Sequence, residues 1–241
     1  MKIYIILFLS LFVYRTSIYS QPISQSREDL KKNILLLAEK YQGTGDPDLQ
    51  KQKELEGLVK QLLIVSPQEP VSKRLDLIEG SWQQIWGPYD YSSDNRGVEP
   101  SIDVKNIYQV VFKDGYYYNV NPNPLKKELT IGLLRGEYWL DTERENVLNV
   151  KFTKFNVVRG CPGNGIGYLE LPFLSETKQI SNEFWFIPGF VVRLFFGGGS
   201  LREVYTDKDI RITYGSEQND LNKNFIFILK RVANIPINFC K

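Results

Sequence analysis

Two stretches near the start of the chain carry apolar residues at helical spacing, which is the pattern of a helix with one buried face. The first follows Ser26, a typical N-cap residue, and its apolar positions are Leu30, Ile34, Leu37, Ala38 and Tyr41. The second follows Asp46-Pro47, a typical first turn, and its apolar positions are Leu55, Leu58, Val59 and Leu62. Residues 26–66 are therefore predicted to form a helical segment that packs on the rest of the fold.

From Gly80 onward the chain consists of short apolar and aromatic runs separated by turn residues, which is the pattern of β-strands. Lys113-Asp114-Gly115 separates two such runs and predicts a hairpin. About nine or ten strands with short connections, and no helix-length stripe between them, favour a closed barrel or a sandwich over a parallel sheet. The predicted fold is mainly β, with an antiparallel barrel or sandwich over residues 75–233 preceded by two N-terminal helices, and we expect these helices to cover one end of it.

Residues 1–20 have the features of an export signal. Lys2 is followed by a nearly unbroken apolar run from Ile3 to Val13, which is short for a membrane span. No cysteine follows the run, so lipid attachment is not indicated. We expect cleavage after Ser20 and a periplasmic, secreted or envelope-associated protein. The alternative is an uncleaved signal anchor.

The composition excludes several classes of function. The chain has no histidine, which removes Ser-His-Asp and Cys-His catalysis and the common histidine-based zinc sites. Lys2 and Arg15 are two of the 30 Lys and Arg residues, and without the signal the remainder equals the 28 Asp and Glu residues. A neutral chain has no general attraction to nucleic acid. We expect no catalytic residues, no metal site and no cofactor, because acidic groups that could serve an enzyme do not cluster on the strands.

The two cysteines, Cys161 and Cys240, are too few for a four-ligand zinc site. In an oxidising compartment they would form one disulfide, which typically stabilises a protein by about 2–4 kcal/mol. The alternative is two unpaired thiols.

Aromatic residues concentrate on the predicted strands. In a small barrel the inward side chains fill the interior, whereas in a wider barrel they line a ligand cavity. Burial of an apolar ligand in such a cavity would contribute about 25 cal/mol for each Å² removed from water. The candidate wall residues are Tyr108, Phe112, Tyr118, Trp139, Phe152 and Phe186.

Two sequence blocks, taken in order, resemble the plastid-lipid-associated (PAP) or fibrillin family. The front block runs from Glu54-Leu55-Glu56-Gly57 through Pro67 to Gly80-Ser81-Trp82, and the rear block covers residues 201–215 with the apolar strand 225–231. Family domains have similar helices before a Gly-x-Trp triplet, and a closing Tyr-x-Asp turn followed by an Arg-Ile strand. The triplet is also similar to the opening of lipocalin-type barrels, in which the tryptophan closes one end, often beneath a late-strand arginine; Arg211 or Arg231 would serve here.

The resemblance implies a lipocalin-like barrel that carries lipids or isoprenoid compounds and has no active site. It implies a structural role for the signature residues Gly80, Trp82, Asp207, Arg211 and Gly215, although Tyr214 stands where the family usually has a second arginine. The predicted function is non-catalytic binding of a hydrophobic small molecule or lipid, with peripheral membrane association as a further candidate interaction. The alternative is a cell-envelope interaction module with a filled barrel. The sequence leaves the oligomeric state open.

Overall fold

The computed structural model of the protein describes residues 25–41, 49–87, 107–122, 130–159, 168–169, 185–187, 198–217 and 220–236. The predicted export signal and both cysteines lie outside these residues. Two helices come first, α1 (Arg27–Tyr41) and α2 (Leu49–Val65), followed by a 3₁₀ turn (Val71–Lys73) and the short helix α3 (Leu75–Ile78). No helix in this part of the chain has both the length and the apolar character needed to cross a membrane.

Helix α1 begins where the sequence predicts, at a reciprocal cap. The Ser26 hydroxyl donates to Asp29 Oδ2 at 2.7 Å, and the Asp29 backbone N–H donates to Ser26 Oγ at 3.2 Å. These bonds occupy one of the backbone donors that the first turn of a helix leaves without a partner.

Eight strands form a closed antiparallel barrel. They pair in the order β1-β2-β3-β4-β5-β8-β9-β10, and β10 pairs with β1. Strand β7 extends the sheet beside β5, and β6 pairs with β11 in a separate ribbon. This architecture confirms the predicted fold class, a mainly β barrel preceded by two N-terminal helices. The strands are β1 (Gly80–Trp86), β2 (Tyr108–Phe112), β3 (Tyr116–Pro122), β4 (Thr130–Leu140), β5 (Val147–Arg159), β6 (Tyr168–Leu169), β7 (Trp185–Ile187), β8 (Gly198–Thr206), β9 (Ile210–Glu217), β10 (Asp220–Arg231) and β11 (Ile235–Pro236).

Alternate residues of each barrel strand face the interior. One cluster of apolar side chains draws on seven of the eight barrel strands, β1 to β5, β8 and β10, so it must be the core inside the barrel. Its members on these strands are Trp82, Val111, Tyr117, Tyr138, Leu148, Val150, Phe152, Leu201, Phe227 and Leu229.

Helices α1 and α2 pack on the outside of the barrel wall. Their buried residues, such as Ile34 and Leu62, belong to one apolar cluster with Ile85, Ile212 and Ile228, which face outward on β1, β9 and β10. The expectation that these helices cover one end of the barrel is wrong. An apolar stripe shows that a helix has a buried face, but it does not show which surface that face contacts.

The segment between α2 and β1 covers one end of the barrel instead. Val71 and Ile78 join the interior cluster. The Val71 N–H donates to Asn146 Oδ1 in the β4–β5 turn at 3.1 Å, and Lys113 in the β2–β3 turn pairs with Asp76 at 3.0 Å. We call this end the sealed end. It comprises α3 and the β2–β3, β4–β5 and β8–β9 turns. The connections β1–β2, β3–β4, β5–β8 and β9–β10 leave the strands at the opposite end.

A tryptophan and an arginine close the sealed end. Trp82 is completely buried, and its indole N–H donates to the Ile78 carbonyl at 2.8 Å. Of the two arginines considered for this place, it is Arg231 whose guanidinium lies 4.1 Å from the centre of the tryptophan ring. Gly80 adopts φ +122°, and a Cβ there would collide with Arg231. Only glycine therefore fits this position without strain.

Candidate functional site

A buried ion pair lies inside the barrel. The Glu203 carboxylate on β8 accepts a hydrogen bond from Arg211 Nε on β9 at 3.1 Å and a shorter one from Arg211 Nη2. Both side chains are almost fully buried, with 0% and 2% of their surfaces exposed. A buried charge is tolerated only when it is paired and its remaining hydrogen bonds are made. The two parallel hydrogen bonds from Arg211 to the Glu203 carboxylate supply the pairing.

Amide side chains extend this pair across the interior. Arg211 Nη1 donates to Gln109 Oε1 on β2, and Gln109 Nε2 donates to Asn119 Oδ1 on β3 at 3.2 Å. Asn121 is the next inward position on β3. Its Oδ1 atom is buried and accepts no hydrogen bond from the described residues. We call Glu203, Arg211, Gln109, Asn119 and Asn121 the polar row.

Two aromatic rings lie along the inner wall. A Cβ on Gly136 would come within 2.5 Å of the Tyr117 ring, and a Cβ on Gly215 would come within 2.6 Å of the Phe227 ring. Each ring therefore rests on the backbone of a glycine in the neighbouring strand. A side chain at either glycine would push the ring toward the barrel axis.

The part of the inner wall farther from Trp82 carries glycines, amides and apolar side chains, and it includes Asn119 and Asn121 of the polar row. Alternation and strand register place Gly132 opposite Asn121, Leu134 opposite Asn119, and Phe155 opposite Leu134. We call this part of the interior the far half, because it lies toward the end opposite Trp82. Its described inward residues are Gln84, Asn119, Asn121, Gly132, Leu134, Phe155 and Gly199.

Four of the six predicted wall residues do not face the interior. Tyr108, Phe112 and Tyr118 belong to a cluster on the outer face of β2 to β4, covered by Ile235 of β11. Trp139 also points outward and is 49% exposed. The prediction that these four residues line the interior is wrong, because alternation along a strand defines two faces but does not show which face is inside.

The other two wall residues lie elsewhere. Phe152 packs against the interior cluster, and its contact with a ligand stays a prediction. Phe186 lies on β7 and pairs through its backbone with Asn156, but its side chain lies outside what the structure describes.

The sequence prediction missed the inward amides. Gln109, Asn119 and Asn121 alternate with apolar residues on β2 and β3, and this signal was available in the sequence. Polar residues at alternate strand positions usually face solvent, so the pattern on its own indicates the wrong side. Here the apolar side of these strands is outside, beneath β11, and the amide side is inside.

Comparisons with known proteins assign no family. No protein-family model matches the chain, and no curated protein or solved structure matches it. The resemblance to the fibrillin family stays a prediction.

The five signature residues lie in different parts of the barrel. Gly80 and Trp82 lie at the sealed end, and Arg211 belongs to the polar row. The Phe227 ring packs against the backbone of Gly215. Asp207 lies in the β8–β9 turn, outside the polar row. The five residues thus do not form a single site.

Asp207 anchors helix α1 to the barrel. Its Oδ1 accepts the backbone N–H groups of Asp209 and Ile210 at 2.8 and 3.0 Å. Its Oδ2 pairs with Lys31 at 2.8 Å and with Arg27 at 2.9 Å. Burial opposes ionisation, but the hydrogen bonds from Lys31, from the backbone and from Arg27 outweigh it and hold the pKa of Asp207 well below its usual value.

Replacing Asp207 with asparagine should therefore lower the free energy of unfolding at neutral pH by about 2 kcal/mol. Because the folded protein lowers the pKa of this carboxyl group, its stabilisation is present above the ordinary value of 3.8 and is lost as the pH falls through the folded value. Urea unfolding followed by circular dichroism between neutral and acidic pH measures both effects. Glu145→Gln, at an exposed position, is the control, and equal pH profiles for the two variants would contradict the anchor.

Proposed function

We propose that this protein binds an apolar small molecule, of the lipid or isoprenoid class, in the far half of its barrel and without catalysis. The observation that carries the proposal is the inner wall there, where Gly132 and Gly199 add no side-chain volume and Leu134 and Phe155 offer apolar surface. A closed barrel of eight strands is wide enough to hold one small ligand when its inward side chains leave room.

The sealed end determines the direction of access. Trp82, Arg231 and α3 close that end, so a ligand would enter from the opposite end. Release of apolar surface from water, at about 25 cal/mol for each Å², is sufficient to drive this binding without a charged anchor. The resemblance to the fibrillin family and the predicted export signal support the same proposal. Export would place the protein at the cell envelope or outside, where peripheral contact with a membrane would supply such a ligand.

A second candidate function is a filled barrel that serves as an interaction module of the cell envelope. One observation favours it: side chains from most of the wall pack together in the half near the sealed end. On the outer face, Phe112 and Tyr116 stack with their ring centres 4.5 Å apart, and the Arg135 guanidinium lies 5.1 Å from the Tyr116 ring. This partly buried aromatic group would be the contact surface.

Extraction of the protein purified from its native source separates the two functions. Under the proposed function, organic extraction and mass spectrometry recover one lipid or isoprenoid compound in near-stoichiometric amount. A filled barrel yields none.

A pair of variants tests the location. Leu134→Trp places a bulky ring in the far half and should reduce the bound ligand about tenfold, because overpacking a closed interior opposes occupancy. Glu137→Trp adds the same ring at an exposed outward position of the same strand and should leave the ligand in place. Equal ligand content in the two folded variants would show that the far half is not the binding site.

A further inference from the structure

We infer that the ligand of this barrel is a neutral amphiphile, such as a long-chain or isoprenoid alcohol, whose hydroxyl group donates a hydrogen bond to Asn121 Oδ1. The inference rests on the proposed function and names the class of ligand that the far half would select.

One acceptor of the polar row, Asn121 Oδ1, has no hydrogen-bond donor among the described residues. Arg211 is bound to Glu203 and Gln109, and the Gln109 amide uses its oxygen toward Arg211 and its nitrogen toward Asn119. The row then reaches Asn121, whose Oδ1 is buried and has no partner among the described residues. A buried acceptor without a donor is destabilising, so native proteins rarely keep one unless something outside the fold supplies the donor.

Among the described residues, the wall beside Asn121 does not supply that donor. Gly132 stands directly opposite on β4 and has no side chain. Asn119, the previous inward residue, makes no hydrogen bond to Asn121 Oδ1, and its own Oδ1 accepts from Gln109. A hydroxyl group beside Asn121 would complete the row, and its apolar chain would lie against Leu134 and Phe155.

The charges of the interior favour a neutral ligand over an anionic one. The Arg211 guanidinium is neutralised by Glu203, and the other described inward side chains of the far half, those of Gln84, Leu134 and Phe155, are uncharged. Beside these described side chains a carboxylate would lose its hydration without gaining a cation. A hydroxyl group loses less hydration free energy than a carboxylate does, and it gains the hydrogen bond to Asn121.

Four probes with the same chain length test the inference on the delipidated full-length protein: lauryl alcohol, methyl decyl ketone, laurate and dodecane. Their affinities are measured by displacement of a fluorescent apolar probe, for the native protein and for Asn121→Leu. We expect the substitution to weaken the binding of lauryl alcohol about fivefold, which is equivalent to the loss of one neutral hydrogen bond. The ketone, which only accepts hydrogen bonds, and dodecane should bind the variant as well as they bind the native protein. Laurate should bind the native protein more weakly than lauryl alcohol.

The stability of the variant separates a binding role from a structural one. Because Asn121→Leu removes an acceptor without a partner, the free energy of unfolding without ligand should stay unchanged or rise. An unchanged affinity for lauryl alcohol would overturn the inference, as would a ketone that loses affinity in the variant or a laurate that binds more tightly than the alcohol. In those cases the probes still bind, and the proposed function stands. Failure of all four probes to bind would overturn the proposed function itself.

Discussion

Glu203→Gln should lower the free energy of unfolding by about 3–5 kcal/mol, because it leaves the Arg211 guanidinium as an unpaired charge inside the barrel. The glutamine keeps the size of the side chain, so the loss is electrostatic rather than a matter of packing. Arg211 would also lose the ionic character of two hydrogen bonds, at Nε and Nη2. Urea unfolding at neutral pH, followed by circular dichroism, measures the change.

Two further variants show whether the loss arises from an unpaired charge. Glu137→Gln makes the same chemical change at an exposed position of β4 and should alter the stability by less than about 0.5 kcal/mol. The double variant Glu203→Leu with Arg211→Met replaces both charges by apolar groups and should be more stable than Glu203→Gln. If Glu203→Gln is as stable as Glu137→Gln, the pair does not occupy the buried position that the structure shows.

Trp82→Ala should lower the free energy of unfolding by about 3–5 kcal/mol, the range for removing a large buried aromatic side chain. The tryptophan is fully buried, and it carries both the hydrogen bond to Ile78 and the stacked Arg231 guanidinium. Its removal would leave a cavity where α3 meets the barrel and would separate the covering segment from the wall. The free energy of unfolding, measured in urea, reports the loss.

Trp139→Ala is the matched control for this prediction. This second tryptophan lies on the outer face of β4 and is 49% exposed, so its loss should change the stability by less than about 0.5 kcal/mol. The contrast also tests which face of β4 is inside the barrel. Comparable losses for both tryptophans would mean that the outer face near Trp139 is covered in solution.

Local patterns in the sequence were sufficient for the fold class. The helical spacing after Ser26 and the alternating runs after Gly80 are short-range signals, and each depends on residues a few positions apart. The cap of α1, the β2–β3 hairpin and the closed antiparallel barrel all appear in the structure. The place of Trp82 at a barrel end, beneath a late arginine, was also predictable from the Gly80-Ser81-Trp82 triplet.

The site could not be predicted in the same way, because it depends on which face of each strand is inside. Tyr118 and Asn119 are neighbours on β3, and the sequence presents the tyrosine as the core residue and the asparagine as the solvent-facing one. The fold reverses this expectation, since Ile235 from the end of the described chain covers Tyr118 outside, while Asn119 pairs with Gln109 inside.

The sequence by itself therefore determined the main elements of this protein and their order, because these follow from local periodicity, and it narrowed the fold to a barrel or a sandwich. Only the tertiary structure decided that α1 and α2 lie on the wall, that α3 covers an end, and that Glu203 and Arg211 meet within the barrel. The physical reason is that a strand offers two faces to its surroundings. Which face becomes the interior depends on what distant segments, here the helices and β11, cover from outside.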